Sequence, residues 1–236
     1  LAIELAGGDP RIVHVNELRS GRARFADHAA VLLPGGFSYG DALGAGTRLA
    51  LELKAWFAEE MASAIRSGRP VLGICNGFQA LVKACLLAGP PEASGGRRVT
   101  LAPNLSGRFE CRWVTVAPQP GCRASWISEL AEPIHCPVAH GEGRVAVSHP
   151  DVIHAIEERG LVAFRYVTPE GEPAEGRHPL NPNGSVNDVA GMCDPTGVVV
   201  GLMPHPEDHV VAWQRPHGGD GRRGSPLFEA FVDAAR

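Results

Sequence analysis

The stretch that most constrains this chain is a short apolar run, Val71–Ile74, followed without a linker by a helical pattern that begins at Asn76. A strand that becomes a helix within one residue must turn sharply, and here the turn reads Gly73-Ile74-Cys75-Asn76-Gly77. Flanking glycines permit a strained backbone and the close approach of neighbouring elements. The rest of the fold has to be arranged around that corner.

Residues 29–33 form a second compact apolar run, ending in Pro34-Gly35-Gly36, which reads as a buried strand delivering a loop. Between residues 45 and 67, Leu49, Leu53, Trp56, Phe57, Met61, Ala64 and Ile65 recur near helical spacing, until Gly68 and Pro70 stop the pattern. The helix after the corner extends over residues 76–87. Residues 12–15 suggest one more short strand, and residues 1–6 the tail of a helix halted by Gly7-Gly8. Strand, helix, strand, helix at this spacing predicts a parallel sheet with right-handed crossovers.

The second half has a different texture. Residues 108–117 and 138–148 alternate as longer strands, and residues 151–159 read as a helix. Val189–Cys193 and residues 198–203 suit a hairpin around Pro195-Thr196-Gly197, while 169–187 is a polar, Gly- and Pro-rich loop. Ser225 as N-cap and Pro226 at the first helical position open a last helix over 225–235. The expected architecture is α/β: a flavodoxin-like, mostly parallel sheet flanked by helices, with extra antiparallel strands in the second half.

A chain of 236 residues suits one such domain, and 44% hydrophobic residues can fill its core. Acidic residues outnumber basic ones, 26 to 22, which argues against a nucleic-acid-binding surface. No apolar run approaches the roughly 18 residues of a membrane helix, and no basic leader precedes the apolar residues at 1–6. Six cysteines without a CxxC pair, in a chain that needs no disulfide staples, point to a reduced, cytoplasmic setting.

Three segments can carry chemistry. At the corner, the helix N-terminus favours a Cys75 thiolate, and the backbone N–H of Asn76 is free for a developing oxyanion. A buried structural cysteine between turn glycines is the plain alternative. Gln79 lies one turn further along the same helix face, where it would meet a polar substrate or serve as a surface residue. In Met203-Pro204-His205-Pro206-Glu207 the prolines favour extended backbone, which would put His205 and Glu207 on one side as a base and its orienter. The His205–His209 spacing does not make a metal site, because this is not HExxH and Pro206 spoils the helix that motif needs. The third segment, Gly35-Gly36-Phe37, follows a strand and offers backbone N–H groups to an oxyanion; a phosphate loop is excluded by the lack of a following GK[ST]. Two glycines within His140-Gly141-Glu142-Gly143-Arg144 suggest close approach of a ligand or of other backbone.

Taken in order, LLPGGFSYGD (32–41), VLGICNGFQAL (71–81), PVAHGEGR (137–144), NPNGS (181–185) and GLMPHPE (201–207) resemble the glutaminase subunit family of phosphoribosylformylglycinamidine synthases, class I glutamine amidotransferases of purine biosynthesis. The cysteine corner and the HPE element are common to class I amidotransferases; GGFSYGD, CNGFQ, AHGEGR and NGS together narrow the match. The resemblance covers nearly the whole chain and is weakest over 91–102, 168–178 and 209–224.

The resemblance implies that Cys75 attacks the side-chain amide of glutamine to form a γ-glutamyl thioester, with His205 moving protons and Glu207 orienting it. It implies that Gly35, Gly36, Phe37, Asn76, Gln79 and His140 surround the substrate. Ammonia would pass to a larger synthetase subunit that uses ATP and magnesium, this chain holding no cofactor of its own. Two departures stand out. Members of the family open with a strand and loop ahead of the first helix, so residues 1–236 are expected to lack the N-terminal strand of the domain. Many members also carry Arg after HPE, where this chain has Asp208. The rival readings are a stand-alone cysteine hydrolase of similar fold and a non-catalytic, truncated subunit that only binds its partner.

Overall fold

The computed structural model describes residues 1–87, 98–215 and 223–236. In chain order the first half contains α1 (Ala2–Leu5), α2 (Val15–Arg19), β1 (Val31–Leu33), α3 (Thr47–Ala55), α4 (Ala58–Arg66), β2 (Val71–Ile74) and α5 (Asn76–Lys83). Then come β3 (Val99–Ala102), β4 (Glu110–Pro118), α6 (Ser125–Ser128), β5 (Ile134–His140), β6 (Arg144–Val147) and α7 (Pro150–Glu158). The chain finishes with β7 (Val162–Val167), β8 (Val189–Cys193), β9 (Val199–Leu202) and α8 (Ser225–Asp233). No helix among the described residues is long and apolar enough to cross a membrane.

Seven strands form one sheet in the order β1-β2-β9-β8-β7-β4-β5, and β3 pairs with β6 in a separate ribbon. β1 runs parallel to β2, and β2 parallel to β9, which sets Gly73 opposite Gly201. From β9 onward the partners are antiparallel, including the β8–β9 hairpin with Met192 opposite Gly201. The parallel part is thus built by the first half of the chain plus β9, and the antiparallel part by the second half. Every residue of β2, β8 and β9 is buried, so these central strands are apolar throughout.

Helix α5 lies against the parallel part with all eight residues buried, Phe78 and Leu81 completely. Its first turn presses on β1 at Gly77, where a Cβ would stand 2.0 Å from the Leu33 carbonyl oxygen. Backbone cannot retreat from backbone as a side-chain tip can, so a residue without a side chain is required there.

Several expected elements take other forms. Residues 12–15 are not a strand: Ile12 is 98% exposed, and His14 instead caps α2. The His14 Nδ1 accepts from the Asn16 N–H at 3.1 Å and Glu17 accepts from the His14 N–H at 3.0 Å, a reciprocal cap that decides for helix over a four-residue strand. The helix of residues 45–67 is two helices, broken at Trp56-Phe57, where Phe57 turns inward edge-on to Phe25 at 5.6 Å between ring centres. The strand of residues 138–148 is also two, β5 and β6, which belong to different sheets. Buried Asn104 holds the bend between them. Its N–H donates to the Gly141 carbonyl, its Nδ2 to the His140 carbonyl at 2.8 Å, and its Oδ1 accepts from the Gly143 N–H at 3.0 Å. The last helix starts at Ser225, with Gly224 rather than Ser225 in the capping position. The stretches 91–102 and 209–224, where the resemblance is weakest, lie partly outside the described residues.

The Gly77 contact gives a direct test. Gly77→Ala drives a methyl group into the Leu33 carbonyl, and overpacking of this kind costs about 1–3 kcal/mol. The urea midpoint of unfolding is expected to fall accordingly, whereas the neighbouring Ala80→Gly should lower it by about 1 kcal/mol through helix propensity. A Gly77→Ala protein as stable as the parent would refute the tight β1–α5 contact.

Candidate active site

Cys75 occupies the corner between β2 and α5 with φ 48° and ψ −103°, a left-handed conformation for a residue with a side chain. Such a backbone costs about 1–3 kcal/mol and persists only where its surroundings enforce it. They do so from both sides: the Cys75 N–H donates to Leu202 of β9 at 2.8 Å, and its carbonyl accepts the first helical bond, from Gln79, at 2.9 Å. The Sγ lies 3.7 Å from the Ala139 carbonyl oxygen of β5. The N–H of Asn76 is in the first turn of α5, where backbone donors have no partner within the helix.

His205 arrives from β9 and is anchored by its N–H, which donates to the Pro137 carbonyl of β5 at 2.8 Å. Its Nδ1 meets Glu207 Oε1 at 2.7 Å. The pairing is the expected one, but its cause differs. Residues Pro206–His209 form a short 3-10 turn rather than an extended strand, and the turn brings the carboxylate back under the imidazole. Burial alone would depress the His205 pKa, but the neighbouring Cys75 sulfur and the bonded Glu207 carboxylate, with their negative charge, hold it up to about 10. Its Nε2 makes no hydrogen bond meeting normal geometry. Gly35, from the loop after β1, seals the other side: a Cβ there would come within 2.6 Å of His205 Cε1 and 3.6 Å of Cys75 Cβ. Three separate strands therefore bring the thiol, the imidazole and the glycine loop together.

Cys75 opens into a cleft of about 150 Å³ lined also by Gly36, Phe37, Gln79, Phe109, His140 and Glu142. That is below the roughly 300–1,000 Å³ of sites for drug-sized ligands and suits an amino-acid side chain. Phe37 stands at 63% exposure and stacks on Phe109, ring centres 6.4 Å apart, beside the cleft. Gln79 lines the cleft as expected, yet both ends of its amide are spent on protein. Its Nε2 donates to the Glu142 carbonyl at 2.6 Å and its Oε1 accepts from Asn76 Nδ2 at 2.9 Å. Asn76 in turn accepts from the Ser38 N–H at 3.1 Å, pinning the glycine loop to the corner. His140 is 2% exposed, with Nδ1 bonded to Asn104 Oδ1; its burial lowers its pKa to about 4 and keeps it neutral.

The sequence reading did not single out Asn104, Lys83, Asp41 or Glu142. Asp41 and Glu142 sit inside the motifs GGFSYGD and AHGEGR, so a signal was present; Asn104 and Lys83 carry none. The Asn183-Gly184-Ser185 turn acts as a buttress: Asn183 Nδ2 donates to the Gly143 carbonyl at 2.9 Å and Ser185 Oγ accepts from the Val145 N–H at 2.9 Å. His209 turns away from His205 and bonds through Nδ1 to the His135 carbonyl. The donor atoms of His205, Glu207 and Asp208 do lie within 4.8 Å of one another. The short Nδ1–Glu207 bond already engages two of those groups with each other.

Comparison with known proteins agrees with this geometry. The family model for the CobB/CobQ-like glutamine amidotransferase domain matches residues 1–236. The phosphoribosylformylglycinamidine synthase subunit PurQ of Treponema denticola is 44% identical over 227 residues, covering 91% of this chain and 83% of that protein. The subunit of the same name from Methanococcus maripaludis is 40% identical over 215 residues, covering 91% of this chain and 78% of the relative. Among solved structures, PurLQS from Thermotoga maritima superposes with a TM-score of 0.71 at 30% identity, covering 100% of this chain and 90% of that one. With its cysteine corner, its paired histidine and glutamate and these relatives across its length, the chain belongs to the CobB/CobQ-like glutamine amidotransferase family.

Proposed function

We infer that this chain is the glutamine-hydrolysing subunit of a phosphoribosylformylglycinamidine synthase, with Cys75 as nucleophile, His205 as base and Glu207 as its orienter. The observation that carries the reading is that a strained cysteine corner, opening into a small cleft, meets beside Gly35 a histidine already held by a carboxylate at 2.7 Å. In this scheme the thiol proton has passed to His205 Nε2 before attack, and Sγ then attacks the amide carbon of glutamine beside a charged imidazole. The N–H groups of Asn76 and of the Gly35-Gly36 loop receive the oxyanion. The C–N bond breaks as His205 protonates the departing nitrogen, leaving ammonia and a γ-glutamyl thioester. Water, losing its proton to His205, then attacks the thioester carbon, and the sulfur departs to leave glutamate. Glu207 keeps Nδ1 bonded, so that the working nitrogen is always Nε2.

The ammonia would be consumed by a larger synthetase subunit that binds ATP and magnesium; similarity to PurQ subunits and to PurLQS supports such a partner. We read residues 1–236 as one amidotransferase domain working in the cytoplasm, a setting consistent with six free cysteines.

With the chain reconstituted with its synthetase, Cys75→Ala is expected to abolish synthesis from glutamine while sparing synthesis from added ammonia. Equal loss with both nitrogen sources would assign Cys75 a structural role instead. Glu207→Gln should retain more glutamine-dependent activity than His205→Ala, because the carboxylate positions the base without carrying the proton; the opposite ranking would remove it as orienter.

His205 and His140 should titrate in opposite directions from the ordinary value of 6.5. His205, raised to about 10, stabilises the fold fully below about pH 6.5 and loses that contribution as pH rises through 10. His140, lowered to about 4, stabilises the fold above pH 6.5 and loses that contribution as pH falls through 4. Imidazole resonances followed by NMR are expected to show His205 charged and His140 neutral at pH 8, with Glu207→Gln lowering the His205 midpoint. A neutral His205 at pH 8 would contradict the assignment.

A further inference from the structure

Two thiols that the chemistry at Cys75 does not use face each other at the other end of the sheet. Cys122 lies in the turn that follows β4, and Cys193 is the last residue of β8. Their sulfurs are 3.6 Å apart, and both are free thiols. Cys193 is paired with Val200 near the start of β9, whereas the Cys75 N–H reaches Leu202 at its end. In the sheet β7 separates β8 from β4, and the two cysteines meet beside the chain that leads into it.

Backbone contacts hold both sulfurs in place. The Cys193 N–H donates to the Leu161 carbonyl at 2.9 Å and the Arg123 N–H to the Gly160 carbonyl at 2.7 Å, so both segments are anchored on one dipeptide. The Cys122 N–H closes its own turn on the Gln119 carbonyl at 2.9 Å. Packing grips that turn from two sides. A Cβ at Gly160 would stand 2.4 Å from the Gly121 carbonyl oxygen, and one at Gly197 would stand 2.5 Å from the Arg123 carbonyl oxygen. A disulfide bond is about 2 Å long, so the sulfurs have to close by roughly 1.6 Å, a movement on the scale of side-chain torsions.

The two thiols are unlike. Cys122 is 7% exposed and Cys193 fully buried. The Cys193 thiol, and after it the Ala124 backbone, lower the Cys122 pKa against the opposing effect of burial. The bond to Cys122 and then burial push Cys193 far above the ordinary thiol range. Thiolate character and access together decide which cysteine an oxidant meets first, and both favour Cys122.

We propose that Cys122 and Cys193 are a modification site for hydrogen peroxide, closing to a reversible disulfide that locks the end of the sheet opposite the catalytic corner. The Cys122 thiolate attacks one peroxide oxygen and the O–O bond breaks; with the thiol proton, this leaves a sulfenic acid and one water. The Cys193 sulfur then attacks the Cys122 sulfur, the S–O bond breaks, and hydroxide leaves with the Cys193 proton as a second water. Two thiols lose two electrons and one peroxide gains them. The link joins residues 71 positions apart, so it restricts the unfolded chain strongly. None of this depends on the glutaminase reading.

The full chain is treated with hydrogen peroxide, quenched with catalase, unfolded in N-ethylmaleimide and digested without reductant for mass spectrometry. A peptide linked through Cys122 and Cys193 is expected as the main disulfide product. The thermal midpoint of the oxidised chain should lie about 5–10 °C above that of the same sample after dithiothreitol. Dithiothreitol does not repair other peroxide damage at thiol groups carried to sulfinic acid, so that damage cancels in the comparison. Cys193→Ala should remove both the linked peptide and the shift, and Cys122→Ser, a change in a turn, does the same if the first variant folds poorly. Three results would overturn the proposal: Cys122 oxidised to sulfinic acid while Cys193 still takes the maleimide, Cys122 linked chiefly to a different cysteine, or both thiols labelled after other cysteines have reacted with peroxide. A linked chain with no shift in midpoint would refute the lock.

Discussion

Everything in the site depends on one backbone conformation, the left-handed turn at Cys75. A side chain at φ 48° is disfavoured, and the turn exists because β9 takes the Cys75 N–H on one side while α5 takes its carbonyl on the other. The helix is in turn locked by its contact with β1 at Gly77, where there is no room for a single methyl group. The thiol is thus held by three elements whose positions are fixed by a parallel sheet. A local strain of about 1–3 kcal/mol is tolerable because a buried sheet and a fully buried helix stand behind it.

The second half of the chain supplies the other wall. β5 accepts the His205 N–H through Pro137 and lies beside Cys75 Sγ at Ala139, so one antiparallel strand touches both the base and the nucleophile. Where β5 ends, Asn104 and the Asn183-Gly184-Ser185 turn hold the bend that presents His140 and Glu142 to the cleft. These asparagines carry out in side-chain hydrogen bonds what a continuous strand would do with its ladder. The glycine loop after β1 closes the arrangement, pinned by Asn76 through Ser38 and Asp41. Loop, corner and bend are therefore a single hydrogen-bonded unit.

Much of this was legible before any coordinates. The apolar run Val71–Ile74, the hairpin strand Val189–Cys193 and the helix starting at Asn76 are where patterning predicted them. Cys75, His205 and Glu207 stood out because a strand-to-helix corner and an HPE element at the end of a strand are local signals. The misses have physical causes. Residues 12–15 have strand-like composition, but a capping histidine and a glutamate three residues on decided for helix. Residues 138–148 read as one strand with Gly141 and Gly143 taken as sites of close approach, whereas the chain bends at those glycines around Asn104. β7 and β3 were not predicted from patterning, although turn residues flank them, Gly160 and Pro169 around β7 and Pro103-Asn104 after β3. Gln79 was expected to offer its amide to a ligand, and the structure spends that amide on Glu142 and Asn76.

By itself the sequence determined the local geometry: which residues sit at the sharp corner, which glycines allow it, and which histidine carries its own carboxylate two residues away. Those features depend on neighbours within a few positions, where the chain's own torsions and spacing decide. Tertiary structure alone decided what the cleft contains. Glu142 meets Lys83 across 59 positions, Asp41 meets Asn76 across 35, and Ser38 reaches the corner across 38. No periodicity encodes such meetings, because they arise from the order in which strands are laid into the sheet and from the close packing that fixes their separation.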